Sequence, residues 1–100
     1  MEESKRVVIF RKRAEKSIFK TFLHISAQGY PERAEKFADR LYDFGYTLND
    51  FPAKYPICRF QRFAQHHFHC ATFQRTYIFV YKVVKNKLII HNIIHGKRLK

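Results

Sequence analysis

The 100-residue chain has few cysteines, few acidic residues and no long apolar run. Its two cysteines, Cys58 and Cys70, are too few for a disulfide scaffold in a chain without a secretory segment, so we expect reduced thiols. No stretch approaches the roughly 20 apolar residues that a membrane-spanning helix needs. The N-terminus offers no signal-peptide core, because its charged residues lead directly into a short apolar run. We therefore expect a cytoplasmic protein without a membrane segment.

Acidic residues are outnumbered by basic ones, with 8 Asp and Glu against 20 Lys and Arg and a formal charge of +12. The basic residues are spread from Lys5 to Lys100, so the folded surface carries the positive field. Such a field attracts polyanions, because Lys and Arg displace counterions from phosphates, and it also attracts acidic proteins. RNA, DNA, the ribosome and an acidic inhibitor are therefore candidate partners.

The first half of the chain predicts one strand and two helices. Val7–Phe10 is β-branched and aromatic, which is typical of a strand, and a helical period begins at Arg13. Gly29 is expected to end the first helix, and Pro31 to begin the second. Gly45 weakens that helix by about 1 kcal/mol, so its regular part is expected to end early. The apolar stripes are Ala14, Ile18, Phe22 and Ile25, then Ala34, Phe37, Ala38, Leu41 and Leu48.

The second half predicts four strands, at residues 57–60, 68–73, 77–84 and 88–95. The last two are joined around Asn86 by a hairpin for which loops of two or three residues both fit. The fold class is therefore α+β: an N-terminal strand, a helical hairpin, then a mostly antiparallel sheet of about four strands in a single domain, 1–100. One sheet face packs on the helices, and we expect the other to await a partner.

Four segments in this order resemble the RelE/ParE toxin superfamily of type II toxin–antitoxin (plasmid stabilization) systems. They are the opening strand with AEKSI, the helix PERAEKFADRLYDFG, the strand YIFVYKV with its hairpin, and the closing LIIHNIIHGKR. The resemblance covers nearly the whole chain and implies a toxin neutralised by an acidic, partly disordered antitoxin. RelE-like relatives cut messenger RNA on the ribosome, whereas ParE-like relatives inhibit DNA gyrase without cutting.

Metal-independent RNA cleavage needs a base for the 2′-OH, charge on the phosphate neutralised, and an acid for the leaving oxygen. We predict His95 as acid or base, because some relatives use a histidine in the corresponding stretch, and Arg59 as the bidentate phosphate ligand. The alternative is that both side chains are simply solvated. Further predicted nucleic-acid contacts are Arg62, Arg75, Tyr77, Lys97 and Arg98.

Two departures from the RelE-like pattern weaken the nuclease interpretation. Those relatives carry a Tyr-Arg pair on the corresponding strand, but here Tyr77 is followed by Ile78. Many also carry a tyrosine near the C-terminus, and this chain ends at Lys100 without one. Losing one phosphate-binding group costs roughly 3–4 kcal/mol of transition-state stabilisation. A ParE-like gyrase inhibitor, or an inactive relative that only binds antitoxin or nucleic acid, therefore stays open.

The segment HHFHC suggests a zinc site, with Cys58 as a fourth ligand. On a strand, however, His69 and Cys70 point to opposite faces, and His91 and His95 lie about 13 Å apart at strand rise. We therefore predict neither a metal site nor a cofactor.

Overall fold

A computed structural model describes residues 6–96, and within them it confirms an α+β fold with a helical hairpin and a four-stranded sheet. The elements are β1 (Val7–Phe10), α1 (Lys12–Ala27), α2 (Pro31–Thr47), a 3-10 turn (Pro52–Lys54), α3 (Gln61–Ala64), β2 (His69–Phe73), β3 (Tyr77–Val84) and β4 (Lys87–His95). The predicted contacts Lys97 and Arg98 lie outside the described residues.

The helical hairpin follows the apolar period of the sequence. Ala14 and Ile18 of α1 are buried, and Gly29 adopts a φ of +95° in the turn between the helices. The prediction that Gly45 ends α2 early is wrong, since the helix continues to Thr47. Gly45 is buried within the helix, where it allows the neighbouring sheet to approach closely.

The sheet has the strand order β1-β4-β3-β2, with β1 parallel to β4 and the other pairs antiparallel. Val84 pairs with Lys87, so the hairpin loop has two residues. Val80 pairs with Asn92 whereas Tyr81 pairs with Ile90, so β4 carries one extra residue at a β-bulge.

The two faces of the sheet support two apolar clusters. Phe79, Tyr81 and Ile90 pack with the helices on one face, whereas Val80 packs with Phe63 on the other. The expectation of an uncovered second face is therefore corrected, because residues 58–68 supply side chains that pack on it. The predicted strand at 57–60 is also wrong: Ile57 forms a single bridge to His69, and α3 follows. Within this run Cys58 and Phe60 pack on the second face of the sheet, whereas Ile57 is exposed.

Cys58 and Cys70 form a disulfide, which corrects the expectation of reduced thiols. Cys58 N–H donates to the Phe68 carbonyl at 2.9 Å and Cys70 N–H to the Pro56 carbonyl at 3.2 Å. These bonds hold the two Cα atoms 4.8 Å apart. Cysteine number alone could not reveal this pairing, because it depends on the local bridge at Ile57.

Among residues 6–96 no helix is both long and apolar enough to cross a membrane.

Candidate functional site

A cavity of about 630 Å³ lies between α1 and the adjoining ends of β3 and β4. Its lining is polar and basic on the helix side and aromatic on the sheet side. Tyr77 lies opposite His95 in the register, and their ring centroids are 5.4 Å apart. The lining residues are Ser17, Lys20, Thr21, His24, Tyr77, Ile93 and His95.

The β-bulge at His91 brings His95 to this cavity. The two-residue loop pairs Val84 with Lys87, and this register, if continued without a break, would place Ile94 opposite Tyr77. The extra residue shifts the pairing by one, so His95 lies opposite Tyr77 instead. A local irregularity in β4 therefore determines which side chain faces the helix.

Helix α1 supplies the other wall through side chains spaced by three and four residues. The Ser17 hydroxyl lies 3.2 Å from Asn92 Oδ1, which also accepts the Ile93 N–H at 2.8 Å, so α1 is linked to β4. Lys20 and His24 continue the same helix face into the cavity. Burial raises the pKa of Tyr77 above its usual 10.0, so its phenol stays protonated at neutral pH. The cavity thus combines a lysine, two imidazoles and a phenol.

Of the residues predicted from the sequence, Tyr77 and His95 come together in this cavity. Arg75 lies in the β2–β3 turn, with a φ of 61°. The next residue, Thr76, accepts the Gly96 N–H at 2.6 Å, so this turn meets the end of β4. Arg75 therefore lies at the same end of the sheet as His95.

Arg59 and Arg62 are located elsewhere. Arg59 lines a separate cavity of about 400 Å³, together with Thr72 and Ile78 on the opposite face of the sheet. Arg62 lies on α3, with its guanidinium 4.8 Å from the Phe63 ring centroid. The arginines selected from the sequence and His95 therefore do not line one common hollow.

The histidine-rich segment has structural contacts in place of metal ligands. His69 Nδ1 lies 2.7 Å from the Tyr55 carbonyl oxygen, and the ring stacks on Tyr81 at 5.3 Å. Cys58 and Cys70 are joined in a disulfide, so neither thiol is available as a metal ligand. Within the described part of the chain, no group of three or more histidine, cysteine or acidic side chains is arranged to hold a metal ion.

Sequence reasoning missed Lys20 and His24. Their signal is the recurrence of polar residues on one face of α1, at Ser17, Lys20, Thr21 and His24. Such a stripe ordinarily indicates a solvated helix face. Only the packing of α1 against β4 converts it into a cavity wall.

This architecture occurs in a known class of small toxin–antitoxin proteins. The chain is similar to a solved structure described as "Chromosomal ParDE TA system from P. aeruginosa", with a TM-score of 0.75 and 13% sequence identity over 90% of this chain and 95% of that chain. At this identity the likeness shows a shared fold. A sequence profile described as "ParE toxin of type II toxin-antitoxin system, parDE" matches residues 8–100, so the chain belongs to the ParE toxin family. Comparison with curated protein sequences gives no significant match.

The family assignment confirms the resemblance to the RelE/ParE superfamily.

Proposed function

We propose that this chain is a ParE-like toxin that inhibits DNA gyrase without cutting nucleic acid, and that an acidic antitoxin neutralises it. The observation that carries the proposal is the match of the ParE toxin family to residues 8–100. The formal charge of +12 is suited to both partners, because gyrase acts on DNA and the expected antitoxin is acidic.

The distribution of the candidate catalytic groups supports the non-catalytic branch. A nuclease must gather an acid, a base and a phosphate-binding group around one phosphate. Arg59 and His95 instead line cavities on opposite faces of the sheet. The position where RelE-like relatives carry an arginine holds Ile78, which packs in the apolar cluster around Val80. Inhibition by binding requires none of these groups to meet.

The test is a supercoiling assay with purified gyrase and the purified chain. We expect supercoiling to be inhibited while messenger RNA in a parallel translation reaction stays intact. His95→Ala should inhibit as well as the wild type, because no proton transfer is involved. If the adjacent gene encodes a short acidic protein, adding that protein should restore supercoiling. Full gyrase activity in the presence of excess folded toxin would contradict the proposal.

A second candidate function is RelE-like cleavage of messenger RNA on the ribosome. It is favoured by one observation, that Lys20, His24 and His95 line the same cavity. Two imidazoles could serve as base and acid, while the ammonium neutralises phosphate charge. In this case His24→Ala and His95→Ala should each lower cleavage by about 10²- to 10⁴-fold. His66→Ala, at an exposed position outside the cavity, is the matched control.

The same cleavage assay with Arg59→Ala tests the phosphate-binding role predicted for Arg59. Normal growth of bacteria that express ample folded protein without an antitoxin would count against both functions. It would favour the remaining interpretation, an inactive relative that binds only antitoxin or nucleic acid.

A further inference from the structure

A second basic cavity, of about 470 Å³, lies where the end of α1 meets the first half of α2. Arg33, Lys36 and Arg40 line it from α2, at steps of three and four residues that place them on one helix face. The half-buried Phe37 lies between them, and Tyr30 adds an aromatic ring that is 49% exposed. No carboxylate is among the described side chains that line this cavity.

Three acidic residues of the helical hairpin line a different cavity. Glu35 and Asp39 of α2 line a cavity of about 270 Å³ together with Glu15 of α1. Of the four acidic residues of α2, Glu35 and Asp39 therefore face another cavity, whereas Glu32 and Asp43 lie within one helical turn of Lys36 and Arg40. The face keeps three cations against these two neighbouring carboxylates, so its net charge is positive.

The second basic cavity adjoins the one that contains His95. His24 of the first cavity and Gln28 of the second meet through their side-chain Nε2 atoms at 3.3 Å. Across from them, the rings of Tyr77 and Phe37, which belong to the first and second cavities, have centroids 5.3 Å apart. The two cavities thus adjoin through one contact on the helix side and one between aromatic rings. We call the combined surface the cationic track, defined by Lys20, His24, Tyr30, Arg33, Lys36 and Arg40.

Tyr30 adds a platform that distinguishes this surface from a plain cluster of charges. The Arg33 guanidinium lies 4.8 Å from the centroid of the Tyr30 ring. Sites for single-stranded nucleic acid combine a basic groove that follows the backbone with aromatic rings on which unpaired bases stack. Duplex bases are already stacked on one another and are not available to such a ring.

We propose that the cationic track binds single-stranded nucleic acid, with phosphates on Lys20, Lys36 and Arg40 and a base stacked at Tyr30. An acidic peptide would use the cations but leave the exposed ring without a role, so the nucleic acid fits the surface better. This inference goes beyond gyrase inhibition, since it concerns direct binding by the isolated chain. It also locates the interface away from Arg59 and Arg62.

The test is fluorescence anisotropy of labelled oligo-dT and oligo-U, measured between 50 and 200 mM salt. The slope of log K against log salt is negative, and removing three phosphate contacts from a single-strand site makes it less steep by about 2. We expect this loss for the triple variant Lys20→Gln, Lys36→Gln, Arg40→Gln, which removes the three proposed phosphate contacts, all at exposed positions. The matched control removes three charges from exposed positions outside the track, namely Lys54→Gln, Lys85→Gln and Lys87→Gln. It should keep the wild-type slope.

A second pair of variants tests the stacking platform. Tyr30→Ala should weaken binding by about fivefold to hundredfold, whereas Tyr30→Phe should bind like the wild type, because stacking needs only the ring. Circular dichroism establishes that each variant is folded. If the triple variant is not, Lys36→Gln and Arg40→Gln are measured singly, both at exposed positions.

Several outcomes would overturn the inference. These are equal slopes for the track and control variants, equal binding by Tyr30→Ala and Tyr30→Phe, or binding of a matched duplex or a polyglutamate peptide as tight as that of the single strands. Binding of either oligo-dT or oligo-U supports it, and the tighter of the two identifies the preferred strand. Neither gyrase nor ribosomes are present, so failure here would leave the proposed toxin function standing.

Discussion

Replacing Gly45 with alanine should destabilise the fold, although alanine is the better helix former. Gly45 lies inside α2, where an added Cβ would be 2.5 Å from Phe10 Cζ and 2.7 Å from Ile90 Cδ1. Neither neighbour can move away easily. The Phe10 ring is packed against Tyr42 and Tyr46, with centroids at 4.8 and 5.4 Å, and Ile90 is fully buried.

Two opposing effects determine how much Gly45→Ala lowers the free energy of unfolding. Alanine gains about 1 kcal/mol of helix propensity over glycine. Overpacking a well-packed core costs about 1 to 3 kcal/mol, and two neighbouring side chains must move here, which places the cost in the upper part of that range. The net loss is therefore about 1 to 2 kcal/mol. For a domain of this size the melting temperature falls by about 4 to 8 °C for each kcal/mol.

Thermal and urea unfolding followed by circular dichroism measure this loss. The Phe10→Leu background removes two of the nearest ring atoms, so Gly45→Ala should cost at least about 1 kcal/mol less there. Asp43→Ala, at an exposed position of the same helix, is the matched control and should be neutral or slightly stabilising. A Gly45→Ala protein as stable as the wild type, or one that Phe10→Leu does not rescue, would refute the packing argument.

Three further predictions concern stability. Tyr81→Phe removes the buried hydroxyl that donates to the Pro52 carbonyl at 2.6 Å, and should lower the free energy of unfolding by about 1 to 3 kcal/mol in urea; an unchanged midpoint would contradict it. Cys58→Ser with Cys70→Ser opens a link between residues 12 apart and should cost about 3 kcal/mol, so equal stability of this variant and the oxidised protein would argue against the disulfide. Burial, and then nearby positive charges, lower the pKa of His91 below 6.5. Between the two pKa values the unfolded chain binds more protons than the folded chain. The contribution of His91 to the free energy of unfolding is therefore full above pH 6.5, and it decreases as the pH is lowered from 6.5 to the folded pKa. His91→Phe should lose this part of the pH dependence, and an identical pH profile would contradict it.

Much of the fold follows from sequence periodicity. The bounds of Val7–Phe10 and Tyr77–Val84 were predicted as the structure has them, because β-branched and aromatic residues fill both faces of these strands. The same reasoning wrongly predicted a strand at residues 57–60. A short apolar run buried by packing on a sheet has the same pattern as a buried strand, so periodicity cannot separate them.

The candidate site was less predictable, because it depends on register. Tyr77 and His95 could be assigned to strands, but a shift of one residue would move either side chain to the other face. The register depends on the length of the loop at Asn86, which the sequence left open, and on the bulge at His91. Lys20 was missed for a different reason: a lysine on an amphipathic helix ordinarily faces solvent, and only packing against the sheet makes it part of a cavity.

Charge alone cannot separate the partners proposed for this toxin. Removing three cations from the track lowers the formal charge from +12 to +9, so long-range attraction of any polyanion persists. An acidic antitoxin, DNA on gyrase and a free single strand would all still approach the surface. What changes is the number of phosphates in direct contact, and this number sets the salt slope. The salt dependence of the affinity and the requirement for an aromatic ring at Tyr30 therefore test the site itself. A loss of affinity at one salt concentration would test only the electrostatic field of the whole protein.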